Sequence, residues 1–340
     1  MSDTELSDEL RLLTLARAGD DRAFDDLVAP YRGELHAHCY RMLGSVYDAD
    51  DALQDALLGA WKGLAGFEGR SSFRAWLYRI ATNAALRVGS KRPAKLLSLD
   101  YGPPTDSPHD LGEPVTEPIW LEPYPEALLG GAGPADPAAR YDARESVELA
   151  FVAALQQLPA TQRAVLILRE VLAFPAAEVA RMLSITVAAV NSALQRARAT
   201  LDRRRAGPSQ QATLSAVGDG RLRALVDEFV AAWERADVPG LTALLTEDAR
   251  LSMPPLPAWF DGRTAIAGFM TERMFATPWR LVPTSANGQL AFACYQGQPG
   301  TTSYALGAVA VLTLRGDRVA EITSFLAPVV DERFGLAPSL

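Results

Sequence analysis

Residues 178–201 read EVARMLSITVAAVNSALQRARATL and predict two helices joined by a tight turn at Ser184-Ile185. Apolar side chains at positions 179, 180, 183, 185, 190 and 194 can form one seam between them. Apolar packing on one side, with base-reading Asn, Gln and Arg on the other, is what a DNA-recognition helix needs. An ordinary helical hairpin with a solvated basic face fits the same pattern. The residues that this second helix would present to bases are Asn191, Ser192, Gln195 and Arg196, with Arg198 facing phosphates.

Charge is distributed unevenly along the 340 residues, whose net charge is −8. Residues 70–95 contain seven Lys or Arg and no acid, residues 96–142 contain nine acids and one Arg, and residues 143–205 contain nine Arg and five acids. This order predicts two modules that face nucleic acid, joined by an acidic strap. Two distant cysteines, with no signal peptide and no apolar run of membrane-spanning length, lead us to expect a cytoplasmic protein.

The first 92 residues have helical periodicity from residue 8 onward. One helix, capped by Asp20 or Asp21, is expected to continue to residue 43 and to stop at Gly44. A second, capped by Asp48, is expected to reach residue 64, and a third to follow the loop at 66–72 and end near residue 88. Residues 143–205 form a second helical module.

The segment 93–142 differs because it holds ten of the 23 prolines, which deny helices and sheets their hydrogen-bond donors. We predict an extended acidic strap there. A disordered linker is the alternative, although Trp120, Leu121 and Tyr124 favour a strap that docks on a folded surface. A second, softer linker is expected at 206–218.

Residues 219–340 combine a helical stripe at 222–233 and two shorter helices with four strand-like runs, at 279–284, 290–296, 304–314 and 318–325. Gly316-Asp317 suits a hairpin turn. The predicted fold class is therefore multidomain: two all-α modules joined by an acidic Pro-rich strap, followed by an α+β domain. Aromatic and Met side chains of this last domain fit either a pocket or a filled core, and no metal cluster or phosphate-binding loop is evident, so we expect no cofactor. The candidate pocket residues are Trp233, Met253, Trp259 and Tyr295.

Three local motifs resemble those of bacterial extracytoplasmic-function sigma factors. DADDALQDALLGAW at 48–61 is similar to the helix that binds core polymerase, FRAWLYRIATN at 73–83 to the helix that reads the −10 element, and LPATQRAVL at 158–166 to the entry of the −35 domain. The resemblance covers residues 8–205. The 219–340 domain resembles the SnoaL-like cone fold, and the combination resembles the SigG-type actinobacterial subgroup.

The resemblance implies a factor that binds core RNA polymerase and promoter DNA, with the tail as a built-in regulator. The residues that would contact polymerase are Asp51, Gln54, Asp55 and Trp61. Without the resemblance, a solvated acidic helix face is the simpler interpretation of them. The basic and aromatic side chains at 70–95 suit binding to single-stranded DNA. Trp76 is more simply interpreted as a residue of the hydrophobic core. The resemblance puts Phe67, Asn83 and the 66–72 loop beside a flipped −10 base, and the acidic strap in the polymerase channel later used by RNA. The −10 candidates are Phe67, Arg70, Arg74, Arg79, Asn83 and Arg87.

Two other functions remain open from the residues alone. A one-component repressor would read duplex DNA with the helix–turn–helix and sense a small molecule with the tail. A cone-fold isomerase or cyclase would use the tail as an active site, but none of the three histidines lies there. Both leave the helices at 48–64 and 73–88 unexplained, so the non-enzymatic sigma function is favoured.

Overall fold

The computed structural model describes residues 3–117, 119–129, 143–204, 207–298, 300, 302–327 and 332–340. Parts of the predicted strap (118 and 130–142) and linker (206) lie outside these residues. The chain divides into two compact units. Unit 1 comprises 1–94, 128–137 and 154–204, and unit 2 comprises 95–127, 138–153 and 205–340.

The helices and strands are numbered here in chain order. The helices are α1 (Asp3–Arg17), α2 (Asp21–Val28), α3 (Arg32–Leu43), α4 (Val46–Gly63), α5 (Phe73–Gly89), α6 (Ser98–Tyr101), α7 (Leu149–Gln156), α8 (Ala160–Leu166), α9 (Ala176–Leu183), α10 (Val187–Arg204), α11 (Gln210–Val217), α12 (Asp219–Glu234), α13 (Val238–Ala243) and α14 (Arg263–Glu272). The strands are β1 (Leu245–Ser252), β2 (Trp259–Asp261), β3 (Trp279–Ala286), β4 (Gln289–Gly297), β5 (Tyr304–Arg315) and β6 (Arg318–Leu326).

Unit 1 follows the predicted helices with two corrections. Asp20 caps α2 as predicted, and Gly44 ends α3 with φ of 69°. The predicted single helix up to residue 43 is wrong, because a 3-10 turn containing Pro30 divides α2 from α3. The predicted Asp48 cap is also wrong: the hydroxyl of Ser45 accepts the Asp48 N–H at 3.1 Å, and α4 begins three residues earlier.

The helix–turn–helix also lies in unit 1. Ser184 adopts the left-handed conformation at φ of 55°, and the turn bends the chain by 100° between α9 and α10. Among the described residues no single helix is long and apolar enough to span a membrane, and only α9 and α10 taken together across their bend pass that test. A π-helical turn at Ile167–Val171 follows α8.

Unit 2 is built on a six-stranded sheet in the order β2-β1-β6-β5-β4-β3. Only the β1–β6 pair is parallel among these strands. The four predicted strands and the Gly316-Asp317 hairpin are confirmed, with Arg315 opposite Arg318. The prediction missed β1 and β2. It was also wrong to leave 206–218 without structure, because Ser209 caps α11 there by accepting the Ala212 N–H.

The two faces of this sheet have different coverings. One face packs against α12 and α14 in an apolar core that includes Phe229, Trp233, Phe260 and Phe269. The opposite face carries alternate residues such as Ala291, Ala293 and Tyr295 of β4, which are also buried but lie outside that core. At β4, both faces of the sheet are therefore shielded from water.

The strap docks on the rest of unit 2. The indole of Trp259 donates to the Gly102 carbonyl at 2.8 Å, and the Thr105 N–H donates to the Trp259 carbonyl at 2.8 Å. Farther along, the Val115 N–H donates to the Pro255 carbonyl at 3.0 Å. Apart from α6 and a short 3-10 turn at Glu126–Leu129, the described strap residues have no helix, which agrees with their proline content.

Candidate nucleic-acid interface

The recognition helix α10 presents its predicted reading side chains to solvent. Its apolar seam is buried through Val190, Leu194 and Ala197, which fixes the orientation of the helix. Asn191, Ser192, Gln195 and Arg196 are exposed, and their side chains form no hydrogen bond or ion pair within the described part of the chain. Arg198 is exposed too, but it pairs with Glu170. Four side chains are therefore available to base edges in a major groove.

A second exposed ridge runs along α5. Arg79, Asn83 and Arg87 follow one another at spacings of four, so they lie on one face, and all three are exposed. Their side chains have no partner among the described residues. Two cations flanking an amide suit a nucleic-acid strand, because the cations hold phosphates and the amide can read a base.

The other predicted −10 residues have structural partners. Arg74 is held by Glu34 at 3.2 Å and lies over the ring of Tyr78 at 4.8 Å. Phe67 is buried and packs on Trp76 with ring centroids 5.1 Å apart, which makes Trp76 part of the core. Arg70 is exposed and pairs with Glu68. Phe67 and Arg74 therefore support the surface by packing and pairing with neighbouring side chains, and they are not free to contact a ligand.

The 66–72 loop and α5 border a cavity of about 340 Å³. Phe67, Arg70 and Arg79 line one side, and Glu178, Arg181 and Met182 of α9 line the other. The first helix of the helix–turn–helix therefore forms a wall of the predicted −10 site. Sequence reasoning did not anticipate this juxtaposition, since no local pattern reports a contact between segments a hundred residues apart.

The two helical modules of unit 1 meet through the half-buried Arg163 and the buried rings of Phe174 and Tyr78. Arg163 donates to the Met42 carbonyl and to the Gln156 side chain at 2.8 Å, and burial lowers the pKa of Arg163 to about 10. The ring of Phe174 packs edge-on against Tyr78 at 5.4 Å. Of the four hydrogen bonds that Arg163 donates, the one to Met42 joins the two modules, and the three to Gln156 and Leu158 fix the guanidinium within the second module.

The predicted polymerase-binding residues lie on α4. Asp51, Gln54 and Asp55 are exposed and have no side-chain partner among the described residues. Trp61 packs on Phe24 at 5.1 Å. Gln54 and Trp61 line an open groove of about 620 Å³, which three leucines also line and which the sequence analysis did not predict. These are Leu53, Leu57 and Leu58.

The four candidate tail residues do not surround one cavity. Trp233 and Met253 belong to the apolar core, whereas Tyr295 lies on the opposite face of the sheet and donates to the Ala337 carbonyl at 2.9 Å. Trp259 is buried beneath the strap through its bond to Gly102. For Trp233 and Met253, the alternative that these residues fill the core is the correct one. The described residues contain no group of three or more His, Cys, Asp or Glu that could hold a metal ion.

Two helical modules with exposed polar and cationic faces, one of them a helix–turn–helix, are typical of DNA-binding transcription factors. Models of protein families match in the same order: Sigma-70 region 2 at residues 27–92, Sigma-70 region 4 at 148–201 and a SnoaL-like domain at 226–322. The ECF RNA polymerase sigma factor SigG of Mycobacterium tuberculosis is 43% identical over 329 residues, covering 95% of this chain and 86% of the relative. The chain belongs to the extracytoplasmic-function RNA polymerase sigma factors.

Other similarities agree with this assignment. SigW of Bacillus subtilis, another ECF sigma factor, is 28% identical over 186 residues, covering 54% of this chain and 90% of the relative. The crystal structure of the extracytoplasmic-function sigma factor SigJ of Mycobacterium tuberculosis has a TM-score of 0.58 at 21% identity, covering 92% of this chain and 98% of that one, which shows a shared fold. The chain is therefore a transcription initiation factor that binds core RNA polymerase and promoter DNA, and the repressor and isomerase alternatives are not supported.

Proposed function

We propose that α10 reads the −35 element, that the Arg79–Asn83–Arg87 ridge of α5 and its neighbouring loop read the −10 element, and that α4 docks on polymerase. The observation that carries this proposal is the availability of these side chains: most of them are exposed and have no partner among the residues that the structure describes. Solvated charged faces alone would look similar, but the family assignment gives each face a role. The protein would act in the cytoplasm, where its polymerase is.

The contact between α9 and the −10 cavity adds a requirement. A strand entering this cavity of about 340 Å³ would meet the Glu178 carboxylate, which repels phosphates, and the Arg181 and Met182 side chains of α9. We therefore expect the two helical modules to separate when polymerase is bound.

The tail is proposed to regulate initiation by holding the strap. Asn287, at the β3–β4 turn, is buried and clasps two segments that precede the tail. Its N–H donates to the Tyr124 carbonyl, its side-chain oxygen accepts the Tyr124 N–H, and its side-chain nitrogen donates to the Val147 carbonyl, each at 2.8 Å. A strap held in this way is not available to a polymerase channel until the clasp opens.

The experiment is in vitro transcription with bacterial core polymerase, comparing the full chain with Asn287→Gly. Glycine accepts the positive φ of 56° at this turn, so the substitution removes the side-chain bonds and keeps the hairpin. We expect promoter-specific transcripts from both forms, with a higher yield and a changed proportion of abortive products for Asn287→Gly.

Ser285→Ala is the matched control, because Ser285 is a polar residue of the same hairpin with no side-chain bond among the described residues. Identical yields and abortive products from Asn287→Gly and Ser285→Ala would contradict the restraint by the tail. Absence of transcripts from every form would instead contradict the promoter-binding roles.

A further inference from the structure

Unit 2 contains a cavity that is separate from the apolar core and from the four tail residues discussed above. Its volume is about 330 Å³. It lies between the start of α11, strand β1 and the β5–β6 hairpin, and its wall includes Gln210, Thr213 and Glu321. This volume is at the lower end of the range for small-molecule sites, so it suits a ligand of a few heavy atoms rather than a large one.

Four ionisable side chains line this cavity: Asp248, Arg250, Arg315 and Glu321. Arg315 pairs with Asp248 and also donates to the Thr246 hydroxyl at 3.1 Å. Arg250 pairs with Asp261, with the nitrogen and oxygen atoms 3.6 Å apart. Each arginine thus has its charge matched by a carboxylate within the protein.

Glu321 is different, since its carboxylate has no ion pair within 4.0 Å in the described chain. Its one hydrogen-bond partner is the hydroxyl of Thr323, at 3.4 Å. Burial raises the pKa of Glu321, and the negative charge of nearby Asp100 acts in the same direction, while Arg250 and Thr323 oppose it. A partly buried carboxylate without a counter-ion is costly, and a cation supplied from outside would relieve that cost.

The polar side chains on the cavity wall near α11 already form hydrogen bonds within the protein. The Gln210 side chain donates to the Leu314 carbonyl at 3.0 Å and accepts the Leu314 N–H at 2.7 Å. The Thr213 hydroxyl donates to the Ser209 carbonyl at 2.9 Å. The wall is therefore held in shape without a ligand, and Glu321 is the charged group left for one.

We propose that this cavity binds a small organic cation carrying a primary ammonium group, which pairs with Glu321. An anion is disfavoured because it would approach Glu321 and compete with Asp248 and Asp261 for arginines that are already paired. Gly207 and Pro208 also line the cavity, and they follow the recognition helix α10 by only a few residues. A ligand here would contact the segment that connects the DNA-reading helix to the tail.

The test is isothermal titration calorimetry on the full chain with 1,4-diaminobutane, n-butylamine and sodium butyrate as probes. We expect saturable binding of at least one amine and none of butyrate. Glu321→Gln should lower the amine affinity at least about tenfold, because it removes the charge and keeps the shape. Glu247→Gln, which neutralises an exposed carboxylate of β1 outside the cavity wall, should leave the affinity unchanged.

A second variant separates loss of the site from loss of folding. Ala320→Leu places extra volume in the cavity without altering any charge, and it should also weaken amine binding. Circular dichroism of each variant checks that the fold is retained. Equal amine affinity for Glu321→Gln and the parent chain, tighter binding of butyrate than of the amines, or no saturable heat from either amine up to about 10 mM would each overturn the proposal. The measurement needs no polymerase, so it is independent of the function proposed above.

Discussion

Asn83 stands on the exposed ridge of α5, one helical turn from Arg79 and one from Arg87. Its amide can donate and accept, which suits the edge of an unpaired base, whereas its neighbours can only donate to acceptors such as phosphates. The side chain has no competing partner among the described residues. The three positions should therefore differ in what they contribute to promoter binding.

Asn83→Ala is expected to change which −10 sequences are transcribed while leaving the best promoter affinity within a few fold. Arg87→Ala is the matched control on the same ridge, and it should weaken all sequences alike and reduce the salt dependence. Transcription from a set of templates in which each −10 base is permuted measures both effects. An unchanged ranking of templates for Asn83→Ala would exclude a base-reading role.

His38 gives unit 1 a dependence on pH. Burial lowers the pKa of His38 to about 3, with Arg41 and Arg74 adding to the effect, and the ring bonds to Thr82 at 2.9 Å. The unfolded chain binds this proton below about pH 6.5 and the folded chain does not, so stability is fully present above pH 6.5 and is lost as pH falls toward 3. At pH 5 the free energy of unfolding should be lower by about 2 kcal/mol from this group.

Urea unfolding of the full chain at about pH 7.5 and about pH 5 measures this loss. His38→Gln keeps a hydrogen-bonding side chain beside Thr82 but cannot take up the proton, so its unfolding midpoint should fall less on acidification. His109→Gln, at a largely exposed imidazole, is the control. A His38→Gln chain that loses as much stability as the parent would show that other groups carry the dependence.

At the scale of elements, α4 combines an apolar groove with acids beside it. Leu58 is 50% exposed, and it lines the groove together with Leu53 and Leu57, which are half-buried. Asp51 and Asp55 lie on the same helix, outside the groove lining. A partner would therefore bury the leucines and meet the carboxylates at the rim.

Reversing the charge of these acids should weaken binding to polymerase. For Asp51→Arg and Asp55→Arg we expect at least about a tenfold loss of affinity in a pull-down with core polymerase, because like charges at a rim repel. Asp227→Arg makes the same reversal on an exposed face of α12 in the tail and should have no effect. Equal retention of all three variants would remove α4 from the interface.

The helices and strands differ in how well the sequence predicted them. The recognition helix was predicted from its apolar positions 190 and 194, which are buried and turn the polar residues outward; Ala197 extends this buried face. Strand β1 was missed because TEDAR at 246–250 is too polar to suggest a strand, and its place is set by parallel pairing with β6, about 70 residues away. The cap of α4 was misjudged because both Ser45 and Asp48 are good caps, and only backbone geometry distinguishes them.

At the scale of the whole molecule, each unit joins segments that are distant in the chain. Unit 1 brings the two helical modules together through Arg163 and Phe174, and unit 2 brings the strap to the tail through Asn287. The four candidate tail residues do not form one pocket. The sequence could not show this for the same reason that it could not show the contacts of Arg163, Phe174 and Asn287. Aromatic composition does not say which face of a sheet a side chain occupies, or which loop covers it.

The pairing of β1 with β6 also sets an order of events on the ribosome. β1 and β2 can join the sheet only after β6 has emerged, about 120 residues beyond the end of α10. At 5–20 residues per second, that interval is roughly 6–24 s. During it the nascent chain already has both helical modules of unit 1, while the sheet that carries Asn287 is incomplete. Under the proposed restraint by the tail, a newly made molecule is unrestrained until β6 has joined the sheet.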